Sequence, residues 1–442
     1  MKKRILKKVI PILCIIVLYI ATTEVLRYLI VDDTKSYTRL MLHDMYTEES
    51  NIDVLFVGAS LVYRSLVPEI ADQYFGTSTF NMGSSSQGMD ASLVLIKEAM
   101  KYHDIKHIYL EVSYDIALLE DNQDRTQMTS TYIVSDYLRP SFGKVKYLLQ
   151  ASSSEHYINS FILARRNWEK LFDYEYMEDL WKKKNTENYR NYQWTYEEDD
   201  LEYYVERGFV ANDSEMQEED FRWNSKGYDR IKVEDISSDW IRYLGKIIDF
   251  CHENKISLTL FSAPRPEITL AGKENYDEYC AFIQEIAGEA HIDYFDFNLC
   301  KDEYFDSTDR TFFIDAAHLN TKGARKFTEV FSGFFTGQIE REKLFWNTYE
   351  EKLGQREAMV YGIAGPADND DPDQVLFKII SNRKAGMAYR IAAVPQEGEY
   401  RLIQDFEENK DFALPAGEEG VLEITWKMAE QPAEEHNLEF IY

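Results

Sequence analysis

Ser60 closes the segment Asp53-Val54-Leu55-Phe56-Val57-Gly58-Ala59-Ser60, an apolar run that ends in small residues. About 250 residues later, Phe313-Ile314-Asp315-Ala316-Ala317-His318-Leu319-Asn320-Thr321-Lys322-Gly323 sets an aspartate and a histidine three positions apart. A serine hydroxyl is a weak nucleophile at neutral pH until a base takes its proton, and that base needs an acid to fix its tautomer. Ser60, His318 and Asp315 are those three types, and acyl transfer through a serine ester is the chemistry they could share. Either piece alone is a weak signal. Many strand-to-helix turns carry Gly-x-Ser, and an aspartate ahead of a helix is often only a cap. Their order along the chain, with a strand before the serine and a helix after the histidine, carries the reading.

The elements that must hold these residues alternate. Ile52–Val57, Thr79–Asn81, His107–Val112, Ser257–Ser262 and Ile292–Phe297 read as strands. Helices are predicted from Pro68, over Gln87–His103, Trp240–Asn254 and Tyr276–Ala290, and from Asn320 to Phe335, each with apolar residues at helical spacing. Apolar strands joined by helices imply a parallel sheet covered on both faces. Ligands in such sheets bind beyond the carboxyl ends of the strands. Ser60, Gly83 and Ser113 each follow a predicted strand, as that rule requires. Asn81 and Ser113 are candidate substrate contacts on this ground. Arg64 either sits at the mouth, holding an anionic group, or is an ordinary arginine at a helix entry.

The motifs together resemble the SGNH (GDSL-like) hydrolase superfamily over roughly residues 50–335. The resemblance implies a three-layer α/β/α, flavodoxin-like domain with Ser60 as nucleophile, His318 as general base and Asp315 as its partner. Phe80-Asn81-Met82-Gly83 matches the second block, so Gly83 and Ser60 would offer backbone N–H groups to the oxyanion. The third block usually supplies an asparagine, but here the strand runs into Ser113-Tyr114-Asp115. Losing one such donor costs about 3–4 kcal/mol of transition-state stabilisation. Within the superfamily the layout is similar to membrane-anchored acyl-transfer proteins of bacterial envelopes, namely the D-alanine transfer protein of the teichoic acid pathway and the alginate-type O-acetylation proteins. Phe261-Ser262-Ala263-Pro264 fits the same pattern. The implied partners are a cell-surface glycan or teichoic-type polymer and a membrane-bound O-acyltransferase. A non-catalytic binding or scaffold protein is the alternative, and the missing asparagine favours it.

Composition limits the partners. The formal net charge is -29, so nucleic acid is not an expected partner. Lys2, Lys3, Arg4, Lys7 and Lys8 precede an uncharged stretch from Val9 to Thr23, the pattern of an export signal with its basic end in the cytoplasm. Ala21-Thr22-Thr23 is a poor cleavage site, so residues 1–31 are read as an uncleaved single-pass anchor, with secretion after cleavage as the alternative. Cys14 lacks the small residue that precedes a lipidated cysteine. Cys251, Cys280 and Cys300 are an odd set and suggest buried thiols rather than a disulfide framework. No CxxC, HExxH or EF-hand pattern occurs, and neither a metal nor a cofactor is expected.

Two stretches break the rhythm. Residues 120–239, with Tyr157–Lys184 reading as helical and Arg190–Tyr228 aromatic and acidic, form an insertion in the 50–340 domain. It is either a lid or sugar-binding surface, or a helical hairpin with its own aromatic core. After Phe345 prolines and short alternating runs imply a small β-sandwich over 355–442 that folds as its own unit. Tyr400 and Trp426 are its candidate glycan contacts.

Overall fold

The computed structural model describes residues 2–118, 125–197, 199–224, 231–273, 275–367, 371 and 373–442. The first strands are β1 (Val54–Gly58), β2 (Thr79–Gly83) and β3 (His107–Glu111). The insertion follows, with three short strands, β4 (Glu202–Tyr204), β5 (Val210–Asn212) and β6 (Trp223–Asn224). β7 (Ser257–Ser262) and β8 (Asp293–Asp296) then complete a five-stranded sheet of order β2-β1-β3-β7-β8, every neighbouring pair parallel. The protein is thus mixed α/β around a parallel sheet.

Alternate side chains of these strands feed two cores, which is why the runs are apolar without a polar phase. Leu55, Val57, Phe80, Ile108, Leu110 and Leu260 pack with Leu93, Ile96, Leu244, Ile247 and Ile283 from three helices. Phe56, Tyr109 and Phe261 face the other way, against Phe297, Phe327 and Phe331. Two of those rings, Phe327 and Phe331, come from the helix Thr321–Phe335, so the helix after His318 is locked to the sheet that carries Ser60. Asn320 caps it by accepting the Gly323 N–H at 2.9 Å.

The stretch Tyr157–Lys184 of the insertion is helical, in three pieces. Tyr157–Phe161, a 3-10 segment Leu163–Phe172 kinked at Asn167, and Tyr174–Lys184 follow one another, the last capped by Asp173. Downstream, the β4–β5 hairpin closes over the free edge of β2. Arg207 O accepts the Asn81 N–H at 3.0 Å, and Gly208, at φ +83°, lies so close that a Cβ there would stand 1.7 Å from Asn81 O. Tyr204 OH to Asp44 and Arg207 to Asp72 fasten the hairpin on either side.

At the C-terminus β9 (Val360–Ala367), β10 (Gln374–Ser381), β11 (Met387–Pro395), β12 (Arg401–Glu407), β13 (Asp411–Pro415), β14 (Gly420–Met428) and β15 (Gln431–Ile441) make an antiparallel region of two sheets over one apolar core. The unit is not self-contained. β6 of the insertion pairs parallel with β9, Trp223 Nε1 donates to Gly365 O at 2.7 Å, and Ile363 N–H donates to Arg222 O. Trp426 is buried in this core and stacked on His436, so it offers no ring face, while Tyr400 is exposed. Cys251 and Cys300 are buried free thiols, and the Cys280 thiol donates to Asp296 Oδ2 at 3.1 Å. The N-terminal helix runs Lys2–Ile30; among the described residues no helix is long and apolar enough to cross a membrane.

The α/β unit continues past residue 340. Glu267 is fully buried, and Lys352 at 3.1 Å and Arg356 at 2.8 Å hold its carboxyl at about 2 despite burial. Tyr349 donates to the same carboxylate. A chain ending at Glu340 would strip this charge of its partners, a loss of about 3–5 kcal/mol. It is expected to melt well below a chain ending at Glu357, as thermal denaturation of the two would show. Equal melting temperatures would mean that Glu267 does not need the helix Tyr349–Gln355.

Candidate active site

The site begins at Gly58. Its φ is +156°, and an added Cβ would lie 2.6 Å from Val62 Cγ2 and 2.8 Å from Glu111 Cβ, so only glycine fits the end of β1. The chain then turns through Ala59 into a four-residue helix, Ser60–Tyr63. Ser60 opens that helix, where an N–H has no acceptor within the helix.

Ser60 Oγ lies 2.7 Å from His318 Nε2. His318 Nδ1 lies 2.9 Å from Asp315 Oδ2 and 3.0 Å from Oδ1. Nδ1–H therefore donates to the carboxylate, which leaves Nε2 free to accept the serine proton. Asp315 also shapes its own loop, because Oδ1 accepts the backbone N–H groups of Ala317 at 2.8 Å and His318 at 2.9 Å. Burial would raise the Asp315 carboxyl, but His318 and these N–H groups outweigh it and hold it well below the usual carboxylate range. A bond from Ile314 N–H to His318 O and another from Thr269 Oγ1 to Ala316 O close the loop. Three residues distant in sequence thus meet in the order that the chemistry needs.

The remaining expected residues are placed differently. Asn81 is fully buried behind Ser60. Its Nδ2 donates to Val62 O at 2.8 Å and Leu66 O at 3.0 Å, and its Oδ1 accepts the Gly83 N–H at 3.1 Å. Asn81 therefore clamps the serine helix, and the Gly83 N–H is already engaged. Ser113 is buried at the N-cap position of the helix Tyr114–Ala117 just after β3, without a side-chain bond to that helix. Arg64 is mostly buried. It pairs with Glu202 through Nη2, while Nη1 is buried without a hydrogen-bond partner.

Glu202 reaches the site from β4, and no sequence signal separates it from the run of acids that precedes it. Burial raises its carboxyl, against the pull of Asn212 and His318. Glu111 was legible in principle, as an acid ending an apolar strand. Burial pushes it up to about 8, against the pull of Arg265, which pairs with Asp115 at 2.6 Å. Because the folded value lies above the unfolded one, near 4.5, the folded state keeps a proton that the unfolded state releases. Stability from this group is complete below pH 4.5 and is lost as pH rises through 8. Glu111→Gln should flatten that decline, so urea midpoints at pH 5 and 8 should differ less in the variant than in the wild type. Unchanged pH dependence would mean that Glu111 ionises at no cost.

Between the insertion and the segment Val31–Ser36 lies a cavity of about 1120 Å³, walled by Tyr132, Tyr137, Trp168, Tyr176 and Tyr189. Its charged lining balances, with Asp32, Asp136, Glu169 and Glu197 against Lys35, Arg165, Arg166 and Lys183.

Neither a protein-family model nor a curated protein matches this chain.

Proposed function

We propose that this protein is a membrane-anchored, extracytoplasmic serine acyl-ester hydrolase or acyltransferase of SGNH type, acting on O-acetyl or D-alanyl esters of a surface polysaccharide or teichoic-type polymer. The 2.7 Å contact between Ser60 Oγ and His318 Nε2, with Asp315 behind it, carries the reading. The sheet order, 2-1-3-4-5 when its own strands are counted along the chain, is that of flavodoxin-like folds and supports the same class. The serine lies just past β1, an interior strand, beside the switch point of that order.

In this mechanism Ser60 Oγ attacks the ester carbonyl as its proton passes to His318 Nε2. The imidazolium then gives that proton to the departing alcohol, leaving the acyl group on Ser60. Water or a glycan hydroxyl gives its proton to Nε2, attacks the acyl-serine and restores the hydroxyl of Ser60. Asp315, ionised throughout, holds the ring and balances its transient charge. The aromatic walls and balanced charge of the insertion cavity suit a saccharide chain. The uncharged stretch Val9–Thr23 after five basic residues supports an anchor with its basic end in the cytoplasm.

A second reading, a non-catalytic binding or scaffold protein of an envelope modification system, is favoured by one observation: Asn81 occupies the Gly83 N–H that an oxyanion would need. A fluorophosphonate separates the two. Covalent labelling at Ser60, absent in Ser60→Ala, is expected of the enzyme; an unlabelled wild-type chain would leave the scaffold.

A further inference from the structure

We propose that the outward face of residues 157–184 rests in the outer interfacial layer of the lipid bilayer beside the N-terminal helix. The inference rests on the reading of that helix as an anchor, and it adds a second membrane-contacting surface inside the insertion.

The first ground is depth. From Val9, where charge stops, to Tyr19 the helix rises about 15 Å, half of a hydrocarbon core of about 30 Å. The uncharged stretch to Thr23 spans only about 22 Å, so residues beyond it must still lie within the outer leaflet. That part of the helix is not bare. Tyr19 OH donates to Phe161 O at 2.8 Å, Tyr28 OH donates to Lys184 O at 3.0 Å, and Lys184 Nζ reaches back to Arg27 O at 3.2 Å. If Val9 marks the inner boundary, the segments packed alongside Tyr19–Ile30 stand at the level of the outer leaflet and its headgroups.

The second ground is what those segments show to the outside. Ile158, Trp168, Leu171, Phe172, Tyr174 and Trp181 are all exposed, Phe172 at 70% and Tyr174 at 77%. Trp168 and Leu171 stand three apart on the 3-10 segment and share a side, as do Tyr174 and Trp181 at i and i+7 of the next helix. Exposed apolar side chains scattered singly need no explanation, but six on 28 residues form a patch that marks an interface. Tryptophan and tyrosine prefer the headgroup level, where a ring finds an apolar and a wet side. Charges are interspersed, and Lys182 and Lys183 are paired with Glu178 and Asp179. This mixture suits the headgroup boundary, where long lysine stems keep their charge in water. On the N-terminal helix Val17, Leu18, Ile20 and Val25 are exposed as well.

The test uses the full chain in vesicles of phosphatidylcholine and phosphatidylglycerol, with and without bromine high on the acyl chains. Trp181 is exposed and stands outside the cavity lining, so Trp181→Phe should fold as the wild type does. The emission lost in that variant belongs to this ring, and brominated lipid should quench it about twofold if it sits in the interface. A chain that sediments with the vesicles while this emission stays unquenched would overturn the inference and leave the anchor standing, with the face free for water or a protein. A chain that stays in the supernatant would overturn both.

Discussion

Ser60→Ala and His318→Ala are each expected to lose nearly all turnover of small acetyl esters, and the double variant should be no worse than either one. The three side chains form a relay in which each contact presupposes the next, at 2.7 Å from serine to imidazole and 2.9 Å from imidazole to carboxylate. Groups that act as such a unit are strongly non-additive, because removing one disables the others. The wild-type rate should itself be low. No asparagine stands directly after β3, where the chain runs Val112-Ser113-Tyr114-Asp115, and Asn81 holds the Gly83 N–H, so oxyanion stabilisation is weak with water as the acceptor. A missing donor costs about 10²–10³ in rate. The measurable loss in Ser60→Ala is therefore about 10³ rather than the 10⁶ of a complete site. Asp315→Asn should be milder than in a buried triad, where it costs about 10⁴, because the Asp315 side chain is half exposed and water can replace part of its effect. Burst and steady-state kinetics with p-nitrophenyl acetate would measure all three. Equal rates in wild type and Ser60→Ala would remove Ser60 from the role of nucleophile. A wild-type rate near that of an efficient esterase would mean that another donor completes the oxyanion site, and Arg64 Nη1, buried and unpaired four residues from Ser60, would be the first to test.

The parallel sheet and the meeting of Ser60, Asp315 and His318 were legible because both rest on local rules. Buried parallel strands are apolar throughout, so Val54–Val57 and Leu258–Ser262 announce themselves. A catalytic loop must be held close to its helix, so Asp315, His318 and the cap Asn320 fall within six residues. What was not legible depends on partners far away in sequence. Nothing local tells that Asn81 turns inward to clamp Val62 and Leu66 rather than outward to substrate. Nothing marks Glu202 among its acidic neighbours, since its partners Arg64 and Asn212 meet it only in the fold. β6 is two residues long and has no periodicity to read, yet it ties the insertion to the C-terminal sheets. Tyr157–Lys184 is helical as its sequence reads, and it is cut into pieces for a local reason, because Asn167 breaks the helical backbone and Asp173 caps a new start. Trp426 carries the type of a glycan contact, but alternation along β14 sends it to the core.

Asn81→Ala is expected to separate scaffold from substrate contact. The variant leaves Leu66 O without the amide donor, takes one donor from Val62 O, which keeps the Ser65 and Leu66 N–H groups, and releases the Gly83 N–H. All three groups are behind the serine helix, where Asn81 itself is fully buried, so water cannot readily replace the lost amide. Each unsatisfied group costs about 1–3 kcal/mol, and a total of about 4 kcal/mol is a fair expectation. For a protein of this size that lowers Tm by about 4 °C. The kinetic consequence follows from position. The helix Ser60–Tyr63 is only one turn long, and its own bonds, from Val62 N–H to Ala59 O and from Arg64 N–H to Ser60 O, cannot fix it without an outside clamp. A displacement of Ser60 Oγ by about 1 Å costs about 10² in rate even when every catalytic group is present. The variant should thus lose kcat together with Tm, while KM for a small ester stays near the wild-type value. A variant with wild-type Tm and a raised KM would instead place the Asn81 amide against the substrate.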